Sequence, residues 1–307
     1  DDKNSMEYAT LMEWDNIYQN EEELGRSWSR NVRLGLIQWQ MRPYRDLEAL
    51  YSQLDFFMDV VSGYGSDFAV LPELFNAPLM AAYEGVNEAE AIRLLSEHTL
   101  HIREYLLGAA VKYNVNVICG SMPLLEDGKL FNVGYLCRRD GTYERYDKIH
   151  ITPNEKQAWG IQGGETVRVF DTDCGRVGIL ICYDCEFPEL VRLLAVQGMQ
   201  SLFVPFLTDT QNAYSRVRHC SQARAIENEC FVAIAGSVGN LPRVSNMDSQ
   251  YAQSAVFTPC DFAFPSTGIK SEATANTEMV LVVDVELSLL KDLHHRGSVR
   301  NLKDRRE

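Results

Sequence analysis

The sequence contains no apolar segment long enough to cross a membrane. Its longest uncharged apolar runs, such as those at 177–182 and 279–283, are far shorter than the roughly 20 residues that a membrane-spanning helix needs. A basic segment followed by an apolar one, which would indicate a secretory signal, is also missing after Met6. These absences predict a soluble protein.

Positive charge is scarce and is not concentrated anywhere along the chain. Lys and Arg number 29 against 43 Asp and Glu, and the formal net charge is −14. The scattered cationic residues form no stripe that could neutralise a row of phosphates. We therefore expect neither nucleic acid nor an anionic membrane as a partner.

Linkers and repeats are missing as well. No Gly/Ser-rich segment, composition break or short repeat divides the chain. Residues 1–5, ahead of Met6, are predicted to be the remnant of a tag and a cloning site, and residues 6–30 a polar, acidic arm with scattered aromatic side chains. Because 46% of the residues are hydrophobic, the remaining chain, 31–307, can bury a substantial core as one mixed α/β domain.

Apolar residues recur at strand and helix spacing in alternation from Val32 onward. Strands are predicted at 32–37, 68–71, 115–120, 131–138, 143–149, 167–170, 177–182, 201–205, 231–235, 255–258 and 279–285. Helices are predicted at 47–61, 88–113, 188–197 and 213–228, with an irregular stretch at 152–165. Asp140-Gly141, a dipeptide that favours a tight hairpin turn, joins two of the strands. Both parallel and antiparallel pairing are therefore expected.

Eight cysteines occur at irregular spacing, several of them inside apolar runs. This pattern favours reduced thiols in a cytoplasmic enzyme over a secreted disulfide scaffold. Cys182 and Cys185 form a C-x-x-C motif, which could alternatively indicate a redox pair or half of a zinc site. The rest of the chain, with its six histidines, offers no second C-x-x-C or H-x₃₋₅-H partner, so we predict no metal and no other cofactor.

Three residues with complementary chemistry follow or end predicted strands. Cys182 lies at a strand-to-helix turn, where backbone N–H groups, chiefly that of Tyr183, can lower a thiol pKa and bind an oxyanion. Glu73 follows a hydrophobic strand, where desolvation would raise its pKa towards that of a general base. Lys148 ends another strand and would supply a fixed positive charge. Taken singly, a buried cysteine, an exposed glutamate and a solvated lysine are the more common explanations of these residues. Together they provide the nucleophile, proton carrier and cation that amide cleavage needs.

Several motifs resemble those of the nitrilase, or carbon–nitrogen hydrolase, superfamily. In chain order they are Leu71-Pro72-Glu73, Tyr146-Asp147-Lys148-Ile149-His150, Gly178-Ile179-Leu180-Ile181-Cys182-Tyr183-Asp184, Phe187-Pro188-Glu189, Ala223-Arg224-Ala225-Ile226-Glu227-Asn228 and Leu302-Lys303-Asp304-Arg305-Arg306. The resemblance covers nearly all of 32–306. It implies a single-domain, four-layer αββα sandwich that assembles as a homodimer or a larger homo-oligomer.

By the same resemblance, Glu73, Lys148 and Cys182 occupy the positions of the family's catalytic triad, and Glu155 that of an additional active-site glutamate with a positioning role. The implied reaction is hydrolysis of a non-peptide carbon–nitrogen bond in a small amide or carbamoyl compound, through a cysteine thioester, with release of ammonia or an amine. There are two alternatives. The protein could be a nitrilase that acts on a nitrile, or a catalytically silent protein that uses the same fold for interactions.

Four further residues are candidates for substrate contact. Thr208, Asp209 and Tyr214 follow a predicted strand, in a region that borders the pocket of such sandwiches. Glu186 occupies a stretch where family branches that bind a substrate carboxylate place Arg or His, and this acid favours a cationic or neutral substrate. The alternative explanation of Glu186 is a surface acid at a helix N-terminus, where the macrodipole stabilises negative charge.

Overall fold

The structure is a computed structural model that describes residues 31–305. The predicted tag remnant at 1–5, the predicted arm at 6–30 and residues 306–307 lie outside the described residues. The strands of the described part are, in chain order, β1 (Asn31–Gln38), β2 (Gln40–Met41), β3 (Phe68–Val70), β4 (Asn116–Ile118), β5 (Met122–Glu126), β6 (Lys129–Cys137), β7 (Tyr143–Asp147), β8 (Ile161–Gln162), β9 (Phe170–Thr172), β10 (Gly175–Ile179), β11 (Ser201–Phe206), β12 (Phe231–Gly236), β13 (Val238–Gly239), β14 (Ala255–Phe257), β15 (Ile269–Glu272) and β16 (Met279–Glu286).

The helices of the described part are α1 (Leu47–Gly63), α2 (Glu88–Ser96), α3 (Thr99–Lys112), α4 (Pro188–Val196), α5 (Gln211–Glu227) and α6 (Leu287–Arg296). Shorter helical turns are the 3₁₀ turns Ala77–Ala82 and Cys182–Glu186 and the π turn Glu155–Trp159. Between residues 31 and 305, no helix has both the length and the apolar composition that a membrane crossing requires.

Two large sheets organise the strands. The first follows the order β16-β1-β3-β4-β6-β5, with β7 and β8 also paired to β6, and the second follows β15-β14-β12-β11-β10-β9. Strands β1, β3 and β4 are parallel, and so are β10, β11 and β12. Because parallel neighbours bring their carboxyl ends to one edge of a sheet, the loops that leave these edges are the expected place for functional groups.

The layers follow from the alternation of side chains along the strands. Leu36 belongs to the core between the sheets, whereas its neighbour Ile37 belongs to the core beneath α1, α2 and α3. Phe68 of the first sheet contacts Phe203 of the second, with ring centroids 5.1 Å apart. Helices α4 and α5 cover the second sheet. This arrangement confirms the predicted α/β class and the four-layer αββα sandwich in one domain.

Helix α1 illustrates how the sequence sets the limits of an element. The Asp46 carboxylate accepts a backbone N–H of the first turn at 3.0 Å and caps the helix. Leu50, Leu54 and Phe57 are buried, at the spacing that places one apolar face on the first sheet. Each such burial contributes about 1.5–3 kcal/mol. The chain leaves the helix just before Gly65, whose φ of +65° suits glycine.

The prediction of a single helix at 88–113 is wrong. The chain forms α2 and α3, with a break between Ser96 and Thr99. Apolar residues keep a helical spacing on both sides of the break, so the pattern alone did not show it. The Thr99 hydroxyl donates to the Pro123 carbonyl at 2.5 Å and ties the start of α3 to β5.

The strand predicted at 177–182 ends earlier than expected. Strand β10 stops at Ile179, and Cys182 opens a 3₁₀ turn. The strand predicted at 167–170 begins only at Phe170. Helix α6 and the strands β2, β5, β8, β13 and β15 were not predicted at all.

Candidate active site

The three residues of the predicted triad and Glu155 line one cavity of about 240 Å³. Glu73 follows β3, Lys148 directly follows β7, Glu155 opens the π turn, and Cys182 opens the 3₁₀ turn after β10. All four are buried, with relative exposures of 2% to 7%. Side chains that are far apart in the sequence therefore meet where strands from both sheets end.

Glu73 and Cys182 both lie in turns that follow the end of a strand. Pro72 has no N–H to continue the ladder, so β3 gives way to a turn that carries Glu73. Leu74 and Cys182 both adopt positive φ, at 48° and 47°. Such backbone strain in residues other than glycine costs about 1–3 kcal/mol and is concentrated at functional sites. At Cys182 the strained turn resembles the nucleophile elbow that presents a reactive side chain at a strand end.

Lys148 is held between two carboxylates. Its Nζ lies 2.7 Å from Glu73 Oε1, and 2.9 and 2.8 Å from the two oxygens of Glu155. Burial disfavours the ammonium, but the two carboxylates raise the pKa of Lys148 well above its ordinary value. Burial likewise opposes ionisation of Glu155, yet Lys148 and the Thr152 N–H and hydroxyl lower the pKa of this carboxyl below its usual range. The pair is therefore a fixed ammonium and a fixed carboxylate.

Glu73 has a different electrostatic environment. Burial raises the pKa of the Glu73 carboxyl, Lys148 lowers it, and the nearby charge of Glu155 raises it again, with a net shift upwards. The carboxyl also accepts the Asn132 Nδ2–H at 3.0 Å and the Leu207 N–H at 3.0 Å. A buried carboxyl with a raised pKa and a fixed orientation is suited to accept and return a proton.

The Cys182 thiol is protonated in the resting site. Burial and the charge of Glu73 raise the pKa of Cys182 well above its ordinary value, and Lys148 only partly offsets them. The thiol lies 3.7 Å from the Leu207 carbonyl oxygen. A hydrogen bond between Cys182 and the Glu73 carboxylate lowers the pKa of Glu73. Since a neutral thiol reacts poorly, attack on a substrate requires a base, and Glu73 is within reach.

Tyr183 supplies a backbone donor next to the thiol. The first hydrogen bond of the 3₁₀ turn runs from the Asp184 N–H to the Ile181 carbonyl at 3.1 Å. The Tyr183 N–H therefore precedes the first bonded donor and has no acceptor inside the turn. Tyr183 also lines the cavity, so its N–H is suited to an oxyanion that forms beside Cys182.

Two side chains that sequence reasoning missed hold this arrangement together. Asn132, on β6, donates to Glu73 and also lies 3.4 Å from Glu155 Oε1. Asp184 is fully buried and accepts the N–H groups of Ile149 and His150 at 2.9 and 2.7 Å. It thereby ties the turn that begins at Cys182 to the segment directly after Lys148. The sequence contained a signal for each of them: Asn132 is a lone amide in an apolar strand, and Asp184 is an acid two residues after Cys182.

The candidate substrate contacts have different positions. Glu186, Thr208 and Asp209 line the cavity. The Thr208 hydroxyl already donates to the Tyr251 carbonyl at 2.7 Å. Tyr214 is not among the described residues that line the cavity; it is 4% exposed and its hydroxyl donates to a backbone carbonyl at 3.2 Å.

The C-x-x-C motif does not bring its two sulfurs into a common site. Cys185 Sγ lies 3.8 Å from the Val217 carbonyl and 3.6 Å from the Ser221 hydroxyl, on the side of α5, whereas Cys182 faces Leu207. Both are free thiols. In the part of the chain that the structure describes, no three His, Cys, Asp or Glu side chains are grouped as metal ligands would be.

Comparison with known proteins places these features in a family context. A family model described as carbon-nitrogen hydrolase matches residues 33–295. The chain is 47% identical to the Bacillus subtilis (strain 168) protein named Probable hydrolase YhcX, over 100% of this chain and 60% of that protein. The chain thus spans less than two thirds of the length of this relative. The human protein Omega-amidase NIT2 is 29% identical, over 67% of this chain and 74% of that protein.

A solved structure shares the fold. The crystal structure of Saccharomyces cerevisiae Nit3, described as a member of branch 10 of the nitrilase superfamily, matches with a TM-score of 0.73 and 22% identity. The match covers 87% of this chain and 94% of that one. At this level of identity the likeness concerns the fold alone.

Proposed function

Since the chain belongs to the carbon-nitrogen hydrolase family, we propose that it hydrolyses an amide or carbamoyl bond of a small molecule through a thioester on Cys182. The observation that carries the proposal is the buried Lys148 ammonium, which lies between Glu73 and Glu155 in the cavity that Cys182 also lines. Burying three charged groups beside a thiol is costly for a protein that only needs a stable core. It is suited to amide chemistry at that thiol.

Acylation begins with transfer of the Cys182 thiol proton to Glu73. The sulfur then attacks the substrate carbonyl carbon, and the carbonyl oxygen becomes an oxyanion. Lys148 and the Tyr183 N–H stabilise the oxyanion. When the carbonyl re-forms, the carbon–nitrogen bond breaks, Glu73 returns its proton to the leaving nitrogen, and ammonia or an amine departs.

Deacylation uses the same groups in reverse. Glu73 takes a proton from a water molecule, whose oxygen attacks the thioester carbon. The second oxyanion collapses, the carbon–sulfur bond breaks, and the thiolate takes back a proton from Glu73 as the acid leaves. Glu155 stays ionised throughout, because it holds the ammonium of Lys148 in place and does not exchange protons with the substrate.

Ammonia release from a panel of amides is the direct test. The panel contains ω-amides, aliphatic amides, carbamoyl amines and nitriles, and the name of the human relative, an omega-amidase, supports including ω-amides. Cys182→Ser is expected to lower kcat/KM by at least about 10³-fold. Cys260→Ala, at an exposed cysteine, is the matched control and should retain activity.

The two alternatives give different results in the same assay. A nitrilase would release ammonia from nitriles and leave the matching amides uncleaved. A catalytically silent protein would release none from any compound, with or without Cys182. Either result would replace the amidase proposal.

Assembly and location are also proposals. We expect a homodimer or a larger homo-oligomer, as the family resemblance implies, and a cytoplasmic location. Sedimentation equilibrium of the purified chain tests the first expectation, and cell fractionation tests the second. The activity of a longer protein that contains this chain is likewise a proposal, because the chain spans 60% of its relative from Bacillus subtilis.

A further inference from the structure

An ion pair in the cavity, Glu186 with Arg216, takes no part in the proposed reaction. Glu186 ends the 3₁₀ turn that Cys182 begins, Arg216 lies on α5, and both line the cavity. The Arg216 Nε and the Glu186 Oε1 are 3.4 Å apart, and the two side chains are 60% and 17% exposed. The carboxylate is therefore largely enclosed, whereas the guanidinium lies mostly in solvent.

The charges that line the cavity are unbalanced. Its lining includes two cationic side chains, Lys148 and Arg216. It also includes four acidic side chains, Glu73, Glu155, Glu186 and Asp209. Lys148 is already bound to Glu73 and Glu155. Of the remaining charged side chains of the lining, two are carboxylates, Glu186 and Asp209, and one is a guanidinium, which pairs with Glu186. A cationic substrate would improve this balance, and an anionic one would worsen it.

We propose that the substrate carries a positive charge, a primary ammonium or a guanidinium, at the end remote from the scissile bond, and that Glu186 binds it. This inference rests on the proposed amide hydrolysis. The existing partner of Glu186 is a weak competitor, because an ion pair with a mostly exposed member contributes little. The substrate cation can therefore take the place of Arg216 beside the Glu186 carboxylate.

The geometry also limits the spacer between the two ends of the substrate. Glu186 lies four residues after Cys182 on one 3₁₀ turn, and this corresponds to roughly 8 Å along the turn. Leu74 and Val217 line the space and suit a short aliphatic chain. Trp159 lines it as well, and an indole ring attracts a cation that lies over its face.

Three amides of equal length separate the contribution of charge from that of size. They are γ-aminobutyramide, valeramide and glutaramate, whose remote ends are an ammonium, a methyl group and a carboxylate. The wild-type chain is expected to cleave γ-aminobutyramide with a kcat/KM about 10- to 100-fold above that for valeramide. Glutaramate should be the poorest substrate of the three.

Glu186→Gln should remove this preference. We expect the ratio of kcat/KM for γ-aminobutyramide to that for valeramide to fall by about 10-fold or more, mainly through a higher KM for the cationic amide. Glu186→Asp keeps the charge and should retain part of the preference. Glu189→Gln is the matched control, because Glu189 is an exposed acid three residues further on and does not line the cavity; its ratio should equal that of the wild type.

Arg216→Gln removes the competing guanidinium and should raise the ratio further. Thermal unfolding of each variant identifies any that fails to fold. If Glu186→Gln does not fold, the inference is tested with Glu186→Asp, which should retain only part of the preference for the cationic amide. The inference is overturned if valeramide or glutaramate is the best substrate, or if the ratio is the same in Glu186→Gln and Glu189→Gln. If the wild type cleaves none of the amides, both the proposed function and this inference fail. If it cleaves them without a charge preference, the proposed function stands and only this inference fails.

Discussion

Lys148→Met replaces a buried ammonium by an apolar side chain of similar length. The ammonium lies 2.7 Å from Glu73 Oε1 and 2.8 Å from Glu155 Oε2. Without it, two buried carboxylates face each other, and like charges in such a site cannot both stay ionised. One of them must hold a proton in the folded variant, so the pKa of the pair rises above that of a free glutamate.

The magnitude follows from these distances. With an effective dielectric constant of about 20, each Lys–Glu contact corresponds to about 6 kcal/mol of Coulomb attraction, most of which the cost of burying the charges offsets. Removing one partner of a buried ion pair destabilises a protein by about 3–5 kcal/mol. For a chain of this size, the melting temperature should fall by about 5–8 °C.

The pH dependence has a definite sign. A carboxylate pair with a raised pKa in the folded state stabilises the fold fully below the unfolded pKa, about 4.3, and this stability is lost as the pH rises through the folded pKa. The Lys148→Met variant should therefore lose stability between about pH 5 and 8 more steeply than the wild type. Urea unfolding at a series of pH values measures this slope, and kcat/KM should fall by at least about 10³-fold at every pH.

Adding Glu155→Gln to the wild type and to Lys148→Met tests the energetic coupling between Lys148 and Glu155. In the wild type this change should lower stability, because Lys148 loses a partner. In Lys148→Met it should raise stability at neutral pH, because it removes one of two facing carboxylates. The expected coupling free energy is about 1–3 kcal/mol. Equal losses in both backgrounds, or parallel pH profiles of Lys148→Met and wild type, would contradict the proposed charge cluster.

Three further predictions concern residues around and beyond the cavity. Asp184→Asn leaves an amide that cannot accept both backbone N–H groups, so we expect about 2–4 kcal/mol lower stability by urea unfolding and a lower kcat. Gly120→Ala places a Cβ 1.9 Å from the Pro72 carbonyl oxygen, at φ +48°; it should cost about 3 kcal/mol by the same assay and reduce kcat/KM. Gly108→Ala, with no atom within 4 Å, is its harmless control. Burial lowers the pKa of His294 to about 4, so this residue should contribute a loss of roughly 3 kcal/mol in stability as the pH drops from about 6.5 towards 4; His294→Gln should remove this contribution and make the slope shallower in urea titrations.

The location of the cavity could be predicted because strand ends are visible in the sequence. Apolar runs precede Glu73 and Cys182, and parallel strands bring their carboxyl ends to one edge. The direction of the Lys148 side chain could not be predicted, since a lysine near a sheet edge is normally solvated. It points inward because Glu155, seven residues further on, turns back through the π turn to meet it.

The hydrogen-bond partners of the cavity depend on tertiary contacts that leave no local signal. Leu207 contributes only its backbone N–H and carbonyl, which every residue except proline possesses. Asp184 acts by bonding to a segment more than 30 residues earlier in the chain. Tyr214 illustrates the opposite case: proximity in sequence to Asp209 suggested a place at the cavity, but the first turns of α5 direct its ring towards Tyr251, with centroids 5.1 Å apart.

The errors in secondary structure have similar causes. Helices α2 and α3 share one apolar periodicity, and the turn between them contains neither glycine nor proline. Strands β2, β8 and β13 contain two residues each, too few for any periodic pattern. They exist because neighbouring strands and loops supply hydrogen-bond partners.

The attachment of the substrate acyl group to Cys182 is the central claim, and mass spectrometry of the acid-quenched enzyme during turnover tests it most directly. For an amide that releases ammonia, we predict that the peptide containing Cys182 gains the mass of the substrate less that of ammonia, in the wild type and in Cys260→Ala. No such thioester should form in Cys182→Ser. Steady ammonia release with an unmodified Cys182 peptide, and with the Cys182→Ser variant still active, would contradict the account.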